Sequence, residues 1–179
     1  MPLGNDGLFS WERFIERYNV ELANELGNLV SRSISMINKY FDSKVLKPSK
    51  QYFEVDCDFE NVIKQAVVNS QQCFDKFELQ NGLSEIWNIV RRANKYIDET
   101  APWVLAKDEA KKEDLNSVMY HLYEAIRIVA ILVNPVMPDA SKVILEELDN
   151  SWEELSAITY FKFSRRPIIT LYVDREKLE

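Results

Sequence analysis

Apolar residues recur at helical spacing through most of this chain, and that pattern limits the folds it can adopt. Trp11, Phe14, Ile15 and Tyr18 follow the three- and four-residue steps that place side chains on one face of an α-helix. Comparable stripes continue as far as Leu148. With 4 glycines and 6 prolines, the chain has few residues that interrupt helices. The pattern therefore predicts a protein built from long amphipathic helices.

The first helix is predicted over 11–41, where two apolar series follow one another. Ser10 offers an N-cap for this helix, and we expect a bend or a split near Asn19. A loop is expected over 42–56, after which Asp58 is the predicted cap of the second helix.

Breaks in the apolar pattern predict where the later helices begin and end. A short break at 80–82 separates the second helix from the third. The third helix must end by Ala101, because Pro102 disfavours helical geometry in the residue before it. A fourth helix is expected to stop at 134–135, and Pro138 can occupy the first turn of a fifth.

Joined by short connections, these helices predict an all-α fold, a bundle of four to five helices over 11–155. Beyond Trp152 the helical pattern weakens. Residues 168–173 are β-branched and aromatic. We therefore expect the C-terminal tail, 156–179, to be irregular or to contain a short strand.

Charge and hydropathy restrict the partners and the compartment. The net charge is −7, which alone argues against nucleic acid because phosphate binding depends on Lys and Arg. The distribution of charge carries more weight, since a small basic face can bind RNA on an acidic body. The longest apolar run, 128–133, is far shorter than the ~20 residues that span a bilayer. We expect a cytoplasmic protein that contacts no membrane.

Residues with catalytic or metal-binding chemistry are sparse. The single histidine, His121, lies inside the predicted fourth helix, and no nearby sequence supplies it with a nucleophile. The 4 glycines are scattered and form no phosphate-binding loop. Cys57 and Cys73 form no CxxC pair, and the acidic clusters match no calcium-binding loop. We expect no catalytic site, metal or cofactor here, and a structural role for His121.

Asn28 and Arg32 are the first candidates for ligand binding. They are four residues apart on the first predicted helix, so they share a face on the flank away from the core. Asn and Arg side chains are suited to hydrogen-bonding base edges, and Arg also reaches phosphate. An ordinary polar helix surface explains the same spacing.

Pro102 and Trp103 form the second candidate, directly after the third predicted helix. A Trp held in a turn by a preceding Pro can present its ring face to a nucleic-acid base. The alternative is an indole that folds inward and seals the bundle.

A local excess of positive charge surrounds Trp103 and is the third candidate feature. Acidic residues are interleaved with these bases, so the segment permits RNA binding without requiring it. The predicted contacts to an RNA backbone are Arg91, Arg92, Lys95 and Lys107.

The same residues carry a family resemblance, which covers 1–152. Several separate motifs in the right order resemble the anticodon-binding domains of methionyl-tRNA synthetases, which are class I aminoacyl-tRNA synthetases. The matching segments are 25–32, 36–41, 98–103, 134–138 and the opening 1–10.

The resemblance implies recognition of CAU, the methionine anticodon. It implies that Trp103 stacks on an anticodon base, the cytosine at the first position. By the same resemblance, Asn28 and Arg32 hydrogen-bond to that base and Pro102 shapes the turn. RNA sequence is usually read in this way, from unpaired loop bases by stacking and edge contacts.

The family also implies the partners, which are a methionine tRNA and a catalytic domain, with no role for DNA. Residues 1–10 resemble the connector that leaves that catalytic domain. The family's ATP-site signatures are absent from the sequence, so this chain alone should not activate methionine. ATP and Mg²⁺ would belong to the catalytic domain of the parent ligase.

Two alternatives remain open at this point. The first keeps the fold and assigns it to another class I synthetase, for cysteine, valine or isoleucine. The second is a helical protein-interaction module that binds no RNA, which an acidic chain suits.

Overall fold

A computed structural model describes residues 9–42, 44, 45, 48 and 54–149, and every regular element among them is helical. The predicted all-α bundle is therefore confirmed. The first eight residues of the predicted connector, the C-terminal tail at 156–179 and the possible strand at 168–173 lie outside the described residues.

The N-terminal stretch is continuously helical but changes its winding. Helix α1 spans Trp11–Arg17, a π-helix spans Tyr18–Gly27, and α2 spans Asn28–Phe41. The Ser10 hydroxyl caps α1 by accepting a hydrogen bond from the backbone N–H of Arg13 at 3.4 Å. The predicted bend or split near Asn19 corresponds to the α-to-π transition, which begins one residue earlier.

Helix α3 spans Glu54–Asp75, so the predicted cap at Asp58 is wrong. Asp58 lies about one turn inside the helix, and its carboxylate accepts hydrogen bonds from Arg92. An Asp side chain can serve either as a helix cap or as an interhelical ion-pair partner. Only the packing of α3 against α4 shows which of these roles Asp58 has.

Helix α4 spans Leu79–Thr100, which moves the predicted break from 80–82 to 76–78. The chain reverses at Phe77, whose φ is 61°. Gly82 is instead buried inside α4, where a Cβ atom would lie 2.6 Å from Cε1 of Phe74. This glycine permits close packing of a ring and does not end a helix.

The remaining boundaries agree with the predictions. Helix α4 ends before Ala101, which has a left-handed φ of 43°, and Pro102 starts the short helix α5, Pro102–Leu105. A 3₁₀ turn, Glu109–Lys111, precedes α6. The last two helices are α6, Lys112–Val133, and α7, Pro138–Asp149.

Helix α6 is the centre of the bundle, and it contacts α2, α3, α4 and α7. The largest side chains that are fully buried include Phe59 of α3, Tyr96 of α4 and Tyr123 of α6. Outside this core, the flank of α2 that carries Asn28 and Arg32 is exposed, and so is Trp103 of α5.

Membrane and metal chemistry can be checked over the described residues. None of their helices has both the length and the apolar character needed to cross a bilayer. Within the same residues, no group of three His, Cys, Asp or Glu side chains is arranged to hold a metal ion. Cys57 and Cys73 are free thiols.

Candidate functional site

Asn28 and Arg32 lie on the outer flank of α2. Both are exposed, whereas Leu29, Ser33 and Ile37 on the opposite side of the same helix are buried. Four-residue spacing places the amide and the guanidinium one above the other. The pair therefore offers hydrogen-bonding groups to solvent on one surface.

Arg32 connects this flank to the C-terminal turns of α4. Its Nη2 atom lies 3.5 Å from Oδ1 of Asp98, and the two side chains are 45% and 69% exposed. An ion pair this exposed contributes about 0–1 kcal/mol, so it exchanges readily with another anion. Asp98 lies in the last turn of α4, so Arg32 contacts the end of the helix that α5, with Trp103, follows along the chain.

At the start of α5, the two residues of the Pro-Trp motif differ in their exposure to solvent. Pro102 is buried, whereas Trp103 is 43% exposed. The Thr100 hydroxyl donates a hydrogen bond to the carbonyl of Tyr96 at 2.7 Å, and Ala101 then turns the chain in the left-handed region. Pro102 thus anchors the junction while much of the indole remains accessible to a ligand.

Three of the four basic residues predicted near this site are well exposed. Lys95 lies 3.3 Å from Glu99 with a 70% exposed side chain, and Lys107 is exposed. The Arg91 guanidinium donates to Oδ1 of Asn88 at 2.7 Å. These side chains can reorient toward a polyanion at small cost, because exposed ion pairs are weak.

The fourth, Arg92, is held inside the α3–α4 contact. Its side chain is 11% exposed, with Nη2 lying 2.9 Å from Oδ2 of Asp58 and Nη1 lying 3.0 Å from Oε2 of Glu99. The guanidinium carbon also lies 5.5 Å from the ring centroid of Phe59. This placement favours a structural role for Arg92 over the predicted contact with an RNA backbone.

An aromatic and acidic cluster next to Arg92 fixes the last turns of α4. The rings of Phe59 and Tyr96 stack with centroids 4.5 Å apart, and the Tyr96 hydroxyl donates to the Asp56 carboxylate. Burial and the neighbouring Asp56 raise the pKa of Tyr96 far above its usual range, so the phenol stays protonated as a donor. Sequence spacing identified none of these contacts, although Tyr96 continues the apolar stripe of α4.

The π-helix is tied to α4 just before the Asn28–Arg32 pair. The Trp87 indole N–H donates to the Glu21 carbonyl at 3.4 Å, and the Asn94 amide donates to the Glu25 carbonyl at 3.1 Å. A π-helix is rare and often accompanies a functional site. The π-helix has wider turns than an α-helix, so it changes the direction in which the following residues point. The two hydrogen bonds that tie it to α4 therefore affect the orientation of Asn28.

His121 is buried in the core. Its Nδ1 atom is 2.7 Å from the Ser117 carbonyl, and its Nε2 atom is 3.4 Å from Oε1 of Glu60. The hydrogen bond to His121 and the nearby Lys64 lower the pKa of Glu60. Both ring nitrogens are thus engaged within the bundle, which is an arrangement suited to support and not to nucleophilic catalysis.

Two families match this chain. The anticodon-binding domain of methionyl-tRNA ligase matches residues 48–161, which include Trp103. The family described as tRNA synthetases class I (M) matches residues 1–34, which include α1, the π-helix, Asn28 and Arg32.

Individual relatives agree with the family matches. Methionine–tRNA ligase of Caldanaerobacter subterraneus subsp. tengcongensis is 48% identical over 87% of this chain and 25% of its own length. The ligase of Bacillus subtilis is 45% identical over 88% of this chain and 24% of its own. The chain therefore spans about a quarter of the length of these curated relatives.

Solved structures show the same similarity. Methionyl-tRNA synthetase of Mycobacterium tuberculosis in complex with methionyl-adenylate superposes with a TM-score of 0.77 and 36% identity. The aligned region covers 82% of this chain and 29% of that protein. At 36% identity, the two proteins are similar in amino-acid sequence as well as in fold.

Proposed function

Because this chain belongs to the family of methionyl-tRNA ligase anticodon-binding domains, we propose that it reads the CAU anticodon of methionine tRNA. The observation that carries this proposal is the contact between α2 and the end of α4, next to an exposed Trp. Arg32 of α2 lies 3.5 Å from Asp98 of α4, and Trp103, which is 43% exposed, lies in α5, the element that follows α4.

Each group on this surface has a distinct role in the proposal. The Trp103 ring stacks on the first anticodon base, cytosine, and Pro102 holds the turn that presents it. Asn28 and Arg32 hydrogen-bond to the edge of that base. Stacking is tolerant of sequence while edge contacts are selective, so the combination gives both affinity and discrimination.

Exposed cations around the site would neutralise RNA phosphates. Arg91, Lys95 and Lys107 fit this role because each is exposed. They supply local positive charge on a chain whose net charge is −7. Binding should therefore weaken as salt rises, because neutralised phosphates release their counterions.

Aminoacylation in this proposal belongs to a complete ligase and not to this chain alone. The tRNA would bridge the chain and a catalytic domain that holds ATP, Mg²⁺ and methionine. The complete enzyme would act in the cytoplasm, where aminoacyl-tRNA is used for translation. The methionine family matches favour this assignment over a cysteine, valine or isoleucine synthetase and over an interaction module without RNA binding.

An anticodon-swap titration tests the proposal. We expect the chain to bind a CAU stem-loop more tightly than one whose first anticodon base is changed, as measured by fluorescence anisotropy. Trp103→Ala should weaken CAU binding by about 1–3 kcal/mol, because one base loses its stacking partner.

Trp11→Ala provides a matched control, since Trp11 is also exposed but lies on α1, outside the proposed site. This variant should bind the CAU stem-loop as the unsubstituted chain does. Equal affinity for the two loops together with no effect of Trp103→Ala would contradict the proposed function.

A further inference from the structure

Helix α4 lies beside the π-helix and the start of α2, and polar contacts join the two segments. The Asn94 amide of α4 donates to the backbone carbonyl of Glu25 in the π-helix at 3.1 Å. One turn later on α4, the Asp98 carboxylate lies 3.5 Å from the Arg32 guanidinium of α2. Asn28 lies between Glu25 and Arg32 along the chain, so α4 contacts this helical segment on both sides of Asn28.

The Glu25 carbonyl links Asn94 to Asn28. The backbone N–H of Asn28 donates to the Ala23 carbonyl, five residues earlier, and also to the Glu25 carbonyl. The Glu25 oxygen therefore accepts from both the Asn28 N–H and the Asn94 amide, which its two lone pairs allow. Side chains that insert into the hydrogen-bond ladder of a helix are a known cause of irregular turns. Asn94 is thus placed to stabilise the π-helical turn that ends at Asn28.

Gly27, directly before Asn28, fits the same π-helical turn. A Cβ atom at Gly27 would lie 3.2 Å from the carbonyl oxygen of Leu22, which is closer than ordinary van der Waals contact. Leu22 is five residues before Gly27, the separation that a π-helix brings together. The absence of a side chain at Gly27 lets this turn close without displacing the Leu22 carbonyl.

Asn28 depends on the π-helical register more than Arg32 does. Arg32 lies in the interior of α2, which the fully buried Leu29, Ser33 and Ile37 fix in the bundle. Asn28 is the first residue of α2, and its N–H still bonds in the π-helical pattern. A change of one residue in helical register turns a side chain by about 100° around the axis. Loss of the π-helical turn would therefore move the Asn28 amide off the face that it shares with Arg32.

We propose that Asn94 is a positioning residue for base recognition, an inference that rests on the proposed function. Asn94 acts through the Glu25 carbonyl, which holds Asn28 toward the first anticodon base, and it makes no contact with RNA. Its amide nitrogen donates to the carbonyls of Glu25 at 3.1 Å and of Val90 at 3.2 Å. An amide nitrogen carries two hydrogens, so both are engaged within the bundle.

Asn94→Ser tests the inference because it removes the bond to Glu25 and keeps the bond to Val90. A serine hydroxyl on α4 reaches the carbonyl four residues earlier, as Ser84 does at 3.0 Å, but is too short to reach the π-helix. We expect the preference for a CAU stem-loop over a first-base variant to fall about tenfold, the discrimination carried by one edge contact. The salt dependence of binding should stay unchanged, since no phosphate contact is lost. Fluorescence anisotropy measures both.

Asn69→Ser is the matched control. Asn69 is also half-buried, and its amide donates across the α3–α4 contact to Glu85 at 3.3 Å. This variant should retain the full preference for CAU. An equal loss of preference in the control would overturn the inference, because any loosened interhelical bond would then have the same effect.

A double-mutant cycle with Asn28→Ala distinguishes positioning from a direct contact with RNA. If Asn94 acts through Asn28, adding Asn94→Ser to Asn28→Ala should cause no further loss of preference, because the group that Asn94 positions is already absent. Two independent tenfold losses would instead multiply to about a hundredfold. That result would overturn the inference.

Amide hydrogen exchange in the RNA-free chain, measured by NMR, reports on the register itself. Asn94→Ser should speed exchange of the Asn28 amide about tenfold and leave the amides of 33–41 unchanged, because opening is local to the π-helical turn. Urea unfolding verifies that the variant is folded. If it is not, Asn94→Thr takes its place, since Thr100 bonds to the carbonyl four residues earlier at 2.7 Å. Unchanged preference or unchanged exchange at Asn28 in a folded variant would overturn the inference.

The unsubstituted chain separates this inference from the proposed function. A preference for CAU that Asn94→Ser leaves intact would count against the inference alone. Absence of any CAU preference in the unsubstituted chain would count against the proposed function, and faster exchange at Asn28 would still show that Asn94 holds the π-helical turn.

Discussion

At the scale of single residues, Arg32 has the surroundings most relevant to base recognition. Its side chain is 45% exposed and its guanidinium lies 3.5 Å from the Asp98 carboxylate, so this ion pair is weak. A guanidinium also offers a planar fork of donors that a lysine ammonium lacks. Arg32 can therefore exchange Asp98 for a base edge without leaving a buried charge unpaired.

Arg32→Lys is expected to reduce discrimination more than it reduces general RNA binding. The substitution keeps the positive charge but removes the planar fork, so the preference for CAU over a first-base variant should fall by about 1–3 kcal/mol. Anisotropy titrations with both stem-loops at several salt concentrations measure this preference and the salt slope. If Arg32→Lys reduces the salt dependence of binding but leaves the preference for CAU unchanged, the result contradicts a base contact by Arg32. It would indicate that Arg32 contacts an RNA phosphate.

At the scale of elements, the last turns of α4 are fixed by contacts with α3. Arg92 bridges Asp58 and Glu99, and Tyr96 stacks on Phe59. These contacts hold the end of α4, which α5 and Trp103 follow. In the proposed function, preorganisation of this kind would lower the entropy lost when a base stacks on the indole.

Arg92→Ala should destabilise the fold by about 1–3 kcal/mol, because a largely buried side chain loses charge-assisted hydrogen bonds. Lys95→Ala is the matched control, since Lys95 also pairs with Glu99 but has a 70% exposed side chain. Its effect should stay within about 0.5 kcal/mol. Urea unfolding monitored by circular dichroism measures both, and equal effects would argue against a structural role for Arg92.

The same elements show which helix boundaries sequence patterns can locate. The ends near Ala101 and Pro138 were predicted correctly, because proline restricts the backbone locally whatever packs around it. Asp58 and Gly82 were misassigned, because a carboxylate and a glycine serve more than one purpose in a helical protein. Asp58 pairs with Arg92 across two helices, and Gly82 makes room for a ring.

At the scale of the whole molecule, α6 packs against α2, α3, α4 and α7, and it makes a polar contact with α3. His121 of α6 lies 3.4 Å from Glu60 of α3, and Lys64 lies 3.2 Å from the same carboxylate. These neighbours lower the pKa of Glu60 from its ordinary value of 4.5. The ionised carboxylate thus stabilises the folded bundle.

The sign of that shift predicts a specific acid sensitivity. A carboxyl group whose pKa is lowered on folding adds stability above pH 4.5, and that stability is lost as the pH falls through the folded value. Glu60→Gln should therefore flatten the loss of stability below pH 4.5, as measured by urea midpoints from pH 7 to pH 3. Glu146→Gln, at an exposed carboxylate of α7, is the control and should retain the full loss.

The sequence alone determined that this chain forms a helical bundle. Amphipathic spacing and proline are local signals, because each acts on the backbone within a few residues along the chain. Resemblance in sequence also identified Asn28, Arg32, Pro102 and Trp103 as candidates. Only tertiary structure decided their surroundings: Arg32 beside Asp98, Trp103 half-exposed, and Arg92 enclosed between α3 and α4. Such contacts join residues far apart in the chain, and helical spacing carries no information about which distant helix packs against a given face.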